Sequence, residues 1–224
     1  ADRLIGEILA RERVPLVAGG TGLYLRALSE GVIEIENDRP EVREELEQQM
    51  EEFGPEAMHR RLTEVDPEEA ARVHPHNRVR VIRALEIFEL TGKTKSALAS
   101  SDAYKRSNRR FEYFCLAPPR ERLYEVIDSR VDRMISEGLL QEIQDLVEKG
   151  WGERIRAANV IGYVEILDYL DGKISLDQAI ADIKKNSRRY AKRQMTWFRH
   201  QADCRFFEQS GEIETVLARN LDTW

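Results

Sequence analysis

Between Asp38 and about Ala103 the sequence carries only helix signals, and a strand-like apolar run stands on either side of that stretch. "RPEVREELEQQMEEF", "PEAMHRRLTEV", "DPEEAARV" and "NRVRVIRALEIFELTG" each carry a start or stop residue, Pro, Asp, Asn or Gly. Upstream, "ADRLIGEILARER" places Leu4, Ile5, Ile8 and Leu9 on one helical face. "VPLVA" then reads as a short strand, "GG" turns the chain, and "TGLYLRALSEG" reads as a second helix stopped by Gly31. Downstream, the aromatic and β-preferring run "FEYFCLA" reads as a strand returning to the sheet. The predicted fold class is therefore α/β and helix-rich, a parallel-sheet core interrupted by an all-helical insertion. The expected division is 1–37 for core, 38–106 for the insertion and 107–224 for the return to the core.

The remaining elements are helices, "PRERLYEVIDSRVDRMISEG", "LLQEIQDLVEKG", "VIGYVEILDYLDG" and the long "SLDQAIADIKKNSRRYAKRQMTWFRHQ", then a strand "CRFFEQ" and a last helix. The longest uncharged window, Val14 to Leu25, is too short to cross a bilayer. No basic-then-apolar leader opens the chain, so a cytoplasmic protein that does not meet a membrane is expected. Cys115 and Cys204 are the only cysteines, which argues against a zinc knuckle or a disulfide framework. The chain starts at Ala1 in mid-helix, without methionine or an N-cap, and reads as the remainder of a longer protein.

Charge is unevenly placed. The chain sums to −6, yet seven Lys or Arg and no acid lie between Lys184 and Arg199. On a helical wheel Lys185, Arg188, Arg189, Lys192, Thr196 and Arg199 share one side. Ile183, Ser187, Tyr190, Ala191, Gln194, Trp197 and Phe198 share the other, which makes Tyr190 and Trp197 core candidates. A solvated face normally mixes signs and gains from i,i+4 pairs, so an unmixed cationic face points to a phosphate or polyanion partner.

The helix at 120–136 carries Leu123, Val126, Ile127, Val131 and Met134 on its apolar stripe, with Arg130 projecting from the middle. A guanidinium stays charged, so burial obliges it to pair with an acid, snorkel to the edge, or face an anion in a cleft. Bidentate phosphate geometry and the basic helix favour the anion. In "PLVAGGTGLYLRAL" a strand runs into glycines and Thr21 is placed as an N-cap, where free N–H groups attract phosphate. Two patterns are decoys. "TGKT" at 91–94 lacks the preceding glycine, which is Ile87, and the strand of a P-loop, so Gly92 reads as a helix stop. "HPHN" holds His74 and His76 without an acid or thiol cluster, so no metal ligands are expected there. Asn77 reads as a helix cap before Arg78, Arg80 and Arg83, of which the last two share a face.

The segments "PLVAGGTGLYLRAL", "HPHNRVRVIRALEIFELTGKT", "SRVDRMISEGLLQEI", "NVIGYVEILDYLDG" and "RRYAKRQMTWFR" stand in the order and spacing of one family. Together they make nearly the whole chain resemble the tRNA dimethylallyltransferases, also called tRNA isopentenyltransferases. The resemblance implies a P-loop NTPase-like core, incomplete here, with a helical insertion that grips the anticodon stem-loop. It implies dimethylallyl transfer from dimethylallyl diphosphate to N6 of adenosine 37 in tRNA, assisted by Mg²⁺. By matched position Arg130 corresponds to a diphosphate-contacting arginine, Thr21 to a residue at the reacting base and Arg43 to a tRNA contact. Val79, Arg80, Val81, Ile82 and Arg83 match one RNA-contacting stretch, and Asn159, Val160, Ile161, Gly162, Tyr163 and Val164 match another. Lys192 and Arg193 fall on the helix that would line the diphosphate and RNA side. The family's P-loop and the aspartate that acts as general base have no counterpart in the chain, which is expected to be inactive alone. Prenylation of free AMP, or a non-catalytic RNA-binding module on the same scaffold, are the alternatives, and a monomer is expected.

Overall fold

The computed structural model describes residues 1–33, 35, 39–101, 109–201 and 203–220. They form two compact units, one from residues 1–2 and 23–111, the other from 3–22 and 112–224. The boundaries expected at 37/38 and 106/107 lie outside the described residues.

The first unit is helical. Its largest element is α3, Pro40–Val65, which is bent where Gly54 takes φ 80° and ψ 167° ahead of Pro55. The bend separates the two helices read from the sequence, because proline cannot donate into the preceding turn and glycine accepts the left-handed backbone. Asp66 ends α3 and starts α4, Pro67–Arg72, by accepting the Glu69 N–H at 3.1 Å. Helix α5, Arg78–Thr91, follows and stops at Gly92 with φ 66°. Asn77 occupies its N-cap position without a side-chain cap bond. Thr94 then caps a short helix not expected from the sequence, α6, Lys95–Ala99, by accepting the Ala97 N–H. The "TGKT" run is thus one helix stop followed by one helix start. Leu46, Met50, Met58 and Leu62 of α3 pack with Val81, Ile82, Ala84 and Leu85 of α5 to form the core. His59 ties α3 to the end of α4 through the carbonyls of Ala70 and Val73, at 3.1 and 2.8 Å.

In the second unit β1, Tyr113–Leu116, pairs in parallel with β2, Cys204–Phe207, so that Tyr113 faces Cys204 and Cys115 faces Phe206. These are the two downstream strands read from the sequence. The strand expected at 14–18 is not formed: the segment has no regular structure, and Val14, Leu16 and Val17 are 40, 74 and 44% exposed. An extended chain is a strand only beside a neighbour that takes its N–H and C=O groups, and among the described residues none stands alongside. The helices are α7, Arg120–Ser136; α8, Leu139–Glu148; α9, Gly152–Ala158; α10, Tyr163–Leu170; α11, Leu176–Gln201; and α12, Ser210–Asn220. Their core joins Val131, Leu139, Ile143, Ile166, Leu167, Ala179 and Ile183, so α7, α8 and α10 wrap the first half of α11.

Two helices remain. Helix α1, Asp2–Leu9, buries Ile5 while Leu4 and Leu9 of the expected apolar face are about half exposed. Helix α2 spans Gly22–Ser29.

Candidate functional site

Helix α7 packs against α11, and that packing removes part of the cationic face read from the sequence. Asp128 takes the Arg188 guanidinium through both carboxylate oxygens, at 2.6 and 2.7 Å, and Asp132 takes Lys184 at 2.6 Å. Lys185 reaches back one turn to Asp182 at 3.1 Å. Three of the seven cations therefore have acidic partners, which corrects the expectation of an unmixed face. Among the described residues Arg189, Lys192, Arg193 and Arg199 have no ion pair, and all four are exposed. Arg193 lies over the Tyr190 ring, 5.6 Å from its centroid. Tyr190 is 42% exposed rather than core, whereas Phe198 is buried and meets Trp197 edge-on at 4.9 Å.

Arg130 also departs from its expected setting. Of the α7 stripe only Val131 is buried, while Val126 is 58% exposed and Arg130 is itself exposed. No ion pair or hydrogen bond to Arg130 occurs among the described residues. The burial argument for an anion therefore does not hold. What remains is an uncommitted guanidinium on a helix whose neighbouring acids, Asp128 and Asp132, are engaged elsewhere.

The glycine loop 19–22 lies on α11. Gln194 Nε2 donates to the Gly20 carbonyl at 2.9 Å, and a Cβ on Gly22 would overlap the Trp197 indole. Thr21 stands between these contacts, directly before α2, with its side chain exposed and no hydrogen bond among the described residues.

The stretch 159–164 is built from backbone turns. Asn159 ends α9 at φ 50°, and the buried Gly162 opens α10 at φ 97°. Glu165, only 8% exposed, accepts the Gly162 N–H at 2.8 Å and the Asn186 amide of α11 at 2.7 Å. Tyr163 donates its hydroxyl to Glu142, which holds its pKa above the ordinary tyrosine value. Arg156 bridges Asp168 and Asp171 at 2.8 and 2.7 Å and keeps α9 against the end of α10. Asn159 and Val160 are exposed; Ile161, Tyr163 and Val164 are half-buried. Sequence reasoning missed Glu165, Asn186 and Gln194. Only Glu165 left a local sign, an acid three residues after the glycine that opens a helix.

In the first unit, Arg43 pairs with Glu47 at 3.0 Å and lies 3.9 Å from the buried Glu86, which Arg83 also meets at 2.7 Å. Val81 and Ile82 are 0 and 5% exposed and serve the core. The expected contact stretch 79–83 therefore shows solvent only Val79, Arg80 and part of Arg83, and Arg80 has no ion pair among the described residues.

Other chemistries find little support. Among the described residues no group of three or more His, Cys, Asp or Glu gathers to hold a metal. Burial pushes the Cys204 thiol up to about 11, with Cys115 and Asp203 adding to it, and burial also raises Cys115. Both thiols stay protonated near neutral pH and are poor nucleophiles. An open depression beside β2 and α12 is lined by Phe206, Phe207, Glu208, Glu212, Thr215 and Val216, whose charge is wrong for a phosphate ligand. No described helix is long and apolar enough to cross a membrane.

The IPP transferase family model matches residues 1–201. A tRNA dimethylallyltransferase of Geobacter metallireducens is 42% identical over 218 residues, covering 97% of this chain and 71% of that protein. One of Geobacillus kaustophilus is 46% identical over 208 residues, covering 92% and 65%. Among solved structures, the full-length tRNA isopentenylpyrophosphate transferase of Bacillus halodurans superposes with a TM-score of 0.61 at 39% identity, over 99% of this chain and 71% of the other. A eukaryotic dimethylallyltransferase acting on tRNA superposes with a TM-score of 0.72 at 25% identity, over 99% and 60%.

Proposed function

Because the chain belongs to the IPP transferase family, we propose that it is the larger part of an enzyme that transfers dimethylallyl from dimethylallyl diphosphate to N6 of adenosine 37 in tRNA. The observation that carries this reading is the likeness over 97% of the chain to a tRNA dimethylallyltransferase. Three of the cations that have no ion pair among the described residues, Arg130, Lys192 and Arg193, support it.

The chemistry assigns roles to these groups. An exocyclic adenine amine is a weak nucleophile, so the base has to leave its stack and meet the allylic carbon in line. The C–O bond to the diphosphate breaks as the C–N bond forms, and negative charge grows on the departing oxygen. Arg130, Lys192 and Arg193 stabilise that charge, which is worth most when the cations are not already neutralised by acids. This is why Arg188 and Lys184, held by Asp128 and Asp132, are not assigned to the task. Thr21 hydrogen-bonds the acceptor base. Arg43, the exposed members of 79–83, and 159–164 hold the anticodon stem-loop.

The P-loop and the base that takes the N6 proton are assigned to residues outside these 224. The exposed apolar run at 14–18, which has strand character and no neighbour among the described residues, fits a sheet completed by such residues. The test is to incubate the full-length protein, and separately the 224-residue chain, with tRNA and dimethylallyl diphosphate, and to digest the tRNA for nucleoside mass spectrometry. Prenylated adenosine from the full-length protein only is expected, with loss of diphosphate binding in Arg130→Ala. Turnover by the short chain would overturn its assigned inactivity, and preference for free AMP over tRNA would overturn the acceptor.

A further inference from the structure

Thr21, assigned to the acceptor base, has an exposed side chain that bonds to nothing among the described residues. A hydroxyl that meets a reacting base has to be held within a fraction of an ångström, and a solvent-facing glycine loop does not hold itself. The restraint comes from the residues on either side. Gly20 offers its carbonyl to Gln194 Nε2 at 2.9 Å, and Gly22 lies so close to Trp197 that a methyl group would strike the indole. Gln194 and Trp197 are three residues apart on α11, so both face the loop from one side of the helix. The loop is thereby fixed at two points that straddle Thr21.

We propose that Gln194 and Trp197 are positioning residues that clamp loop 19–22 to α11 and so set the place of Thr21. The proposal rests on the reading of Thr21 as the group that meets the acceptor base. The two contacts differ in kind. The Gln194 amide is the end of a flexible side chain and could swing away, but the Gly20 carbonyl would then lose its donor. The Trp197 ring is bulky and wedged against Phe198, so a side chain at residue 22 would lift the loop instead. Glycine at residue 22 is required by this close approach of backbone to helix, whereas a side chain at residue 20 would displace only the Gln194 amide.

The test uses Gln194→Glu, which keeps the size but turns an acceptor toward the Gly20 carbonyl, and Gly22→Ala, in the full-length protein. Amide hydrogen exchange over residues 16–22 should quicken in both while the α8–α10 segments stay protected. Turnover of tRNA should fall on the order of 10- to 100-fold in kcat, the loss expected of a misplaced group, with the Kd of dimethylallyl diphosphate unchanged. Opening room in Gly22→Ala/Trp197→Leu should recover part of that loss. The Gln194→Glu/Thr21→Ala pair should be no slower than Thr21→Ala alone, because one change removes what the other displaces. Unchanged exchange at 16–22, or losses that multiply in the double variant, would overturn the clamp. Faster exchange with full activity in Thr21→Ala would support the clamp and overturn only the role given to Thr21.

Discussion

Replacing Glu165 with alanine should loosen the second unit by several kcal/mol, even though Glu165 is neither in the apolar core nor among the groups assigned to chemistry. The residue is 8% exposed, and its carboxylate accepts two donors, the buried Gly162 N–H at 2.8 Å and the Asn186 amide at 2.7 Å. Removing a charged acceptor from a buried N–H costs about 1.5–3 kcal/mol, because that donor finds no other partner. The half-buried Asn186 amide can turn to water, so its bond is worth about 1 kcal/mol. Lost packing of the side chain adds roughly another 1 kcal/mol. The total for Glu165→Ala is then about 3–5 kcal/mol, against about 1 kcal/mol for Asn186→Ala. Glu165→Gln should fall between, since its amide can accept one of the bonds but sets a donor against the other. All three tryptophans lie in 112–224, so urea unfolding followed by tryptophan fluorescence reads the right unit. With a slope near 2 kcal/mol per M, the midpoint of Glu165→Ala should drop by roughly 2 M. A shift under about 0.5 M, or Glu165→Gln as damaging as Ala, would refute the argument that the carboxylate holds the 159–164 turn.

Two further outcomes follow from the same reasoning. Arg188→Ala breaks the contact with Asp128, which is about a third exposed, and should cost about 0.5–1 kcal/mol of stability; Lys192→Ala should leave stability unchanged but weaken tRNA binding and flatten its dependence on salt. If the two variants behaved alike in both assays, the sorting of the α11 cations into structural and functional groups would be wrong. Asp66, 3% exposed, would be raised by burial alone; the Ser96 N–H, the Glu69 N–H and the Lys95 ammonium more than offset this, and its pKa lies below 3.8. Its ionised form therefore stabilises the first unit fully above pH 3.8, and that contribution is lost as pH falls through the lower, folded value. Acid titration followed by circular dichroism should show a shallower loss in Asp66→Asn than in the parent, and equal slopes would count against the assignment.

The residues explain what could be read in advance. The limits of α3, α4 and α5 were legible because each depends on neighbours within a turn: Gly54 before Pro55, Asp66 ahead of Glu69, Gly92 in the left-handed region. The two downstream strands were legible from composition. The strand at 14–18 was misread because apolar character states a preference for burial, while a strand also needs a bonded neighbour. Tyr190 was misread because a helical wheel gives a direction and not what lies there.

By itself the sequence determined most of the helix limits, the cluster of cations on α11, and membership of a family carried by motifs spread over the whole chain, but not the short helices α6 and α9. Those properties are local or compositional, and they survive being read one segment at a time. Tertiary structure decided which cations are free, since Asp128 and Asp132 reach Arg188 and Lys184 from a helix more than fifty residues away. It also decided that Gln194 meets Gly20 and that Glu165 meets Asn186. Such pairings depend on how whole helices dock, which follows from the summed burial of many apolar side chains rather than from any short motif.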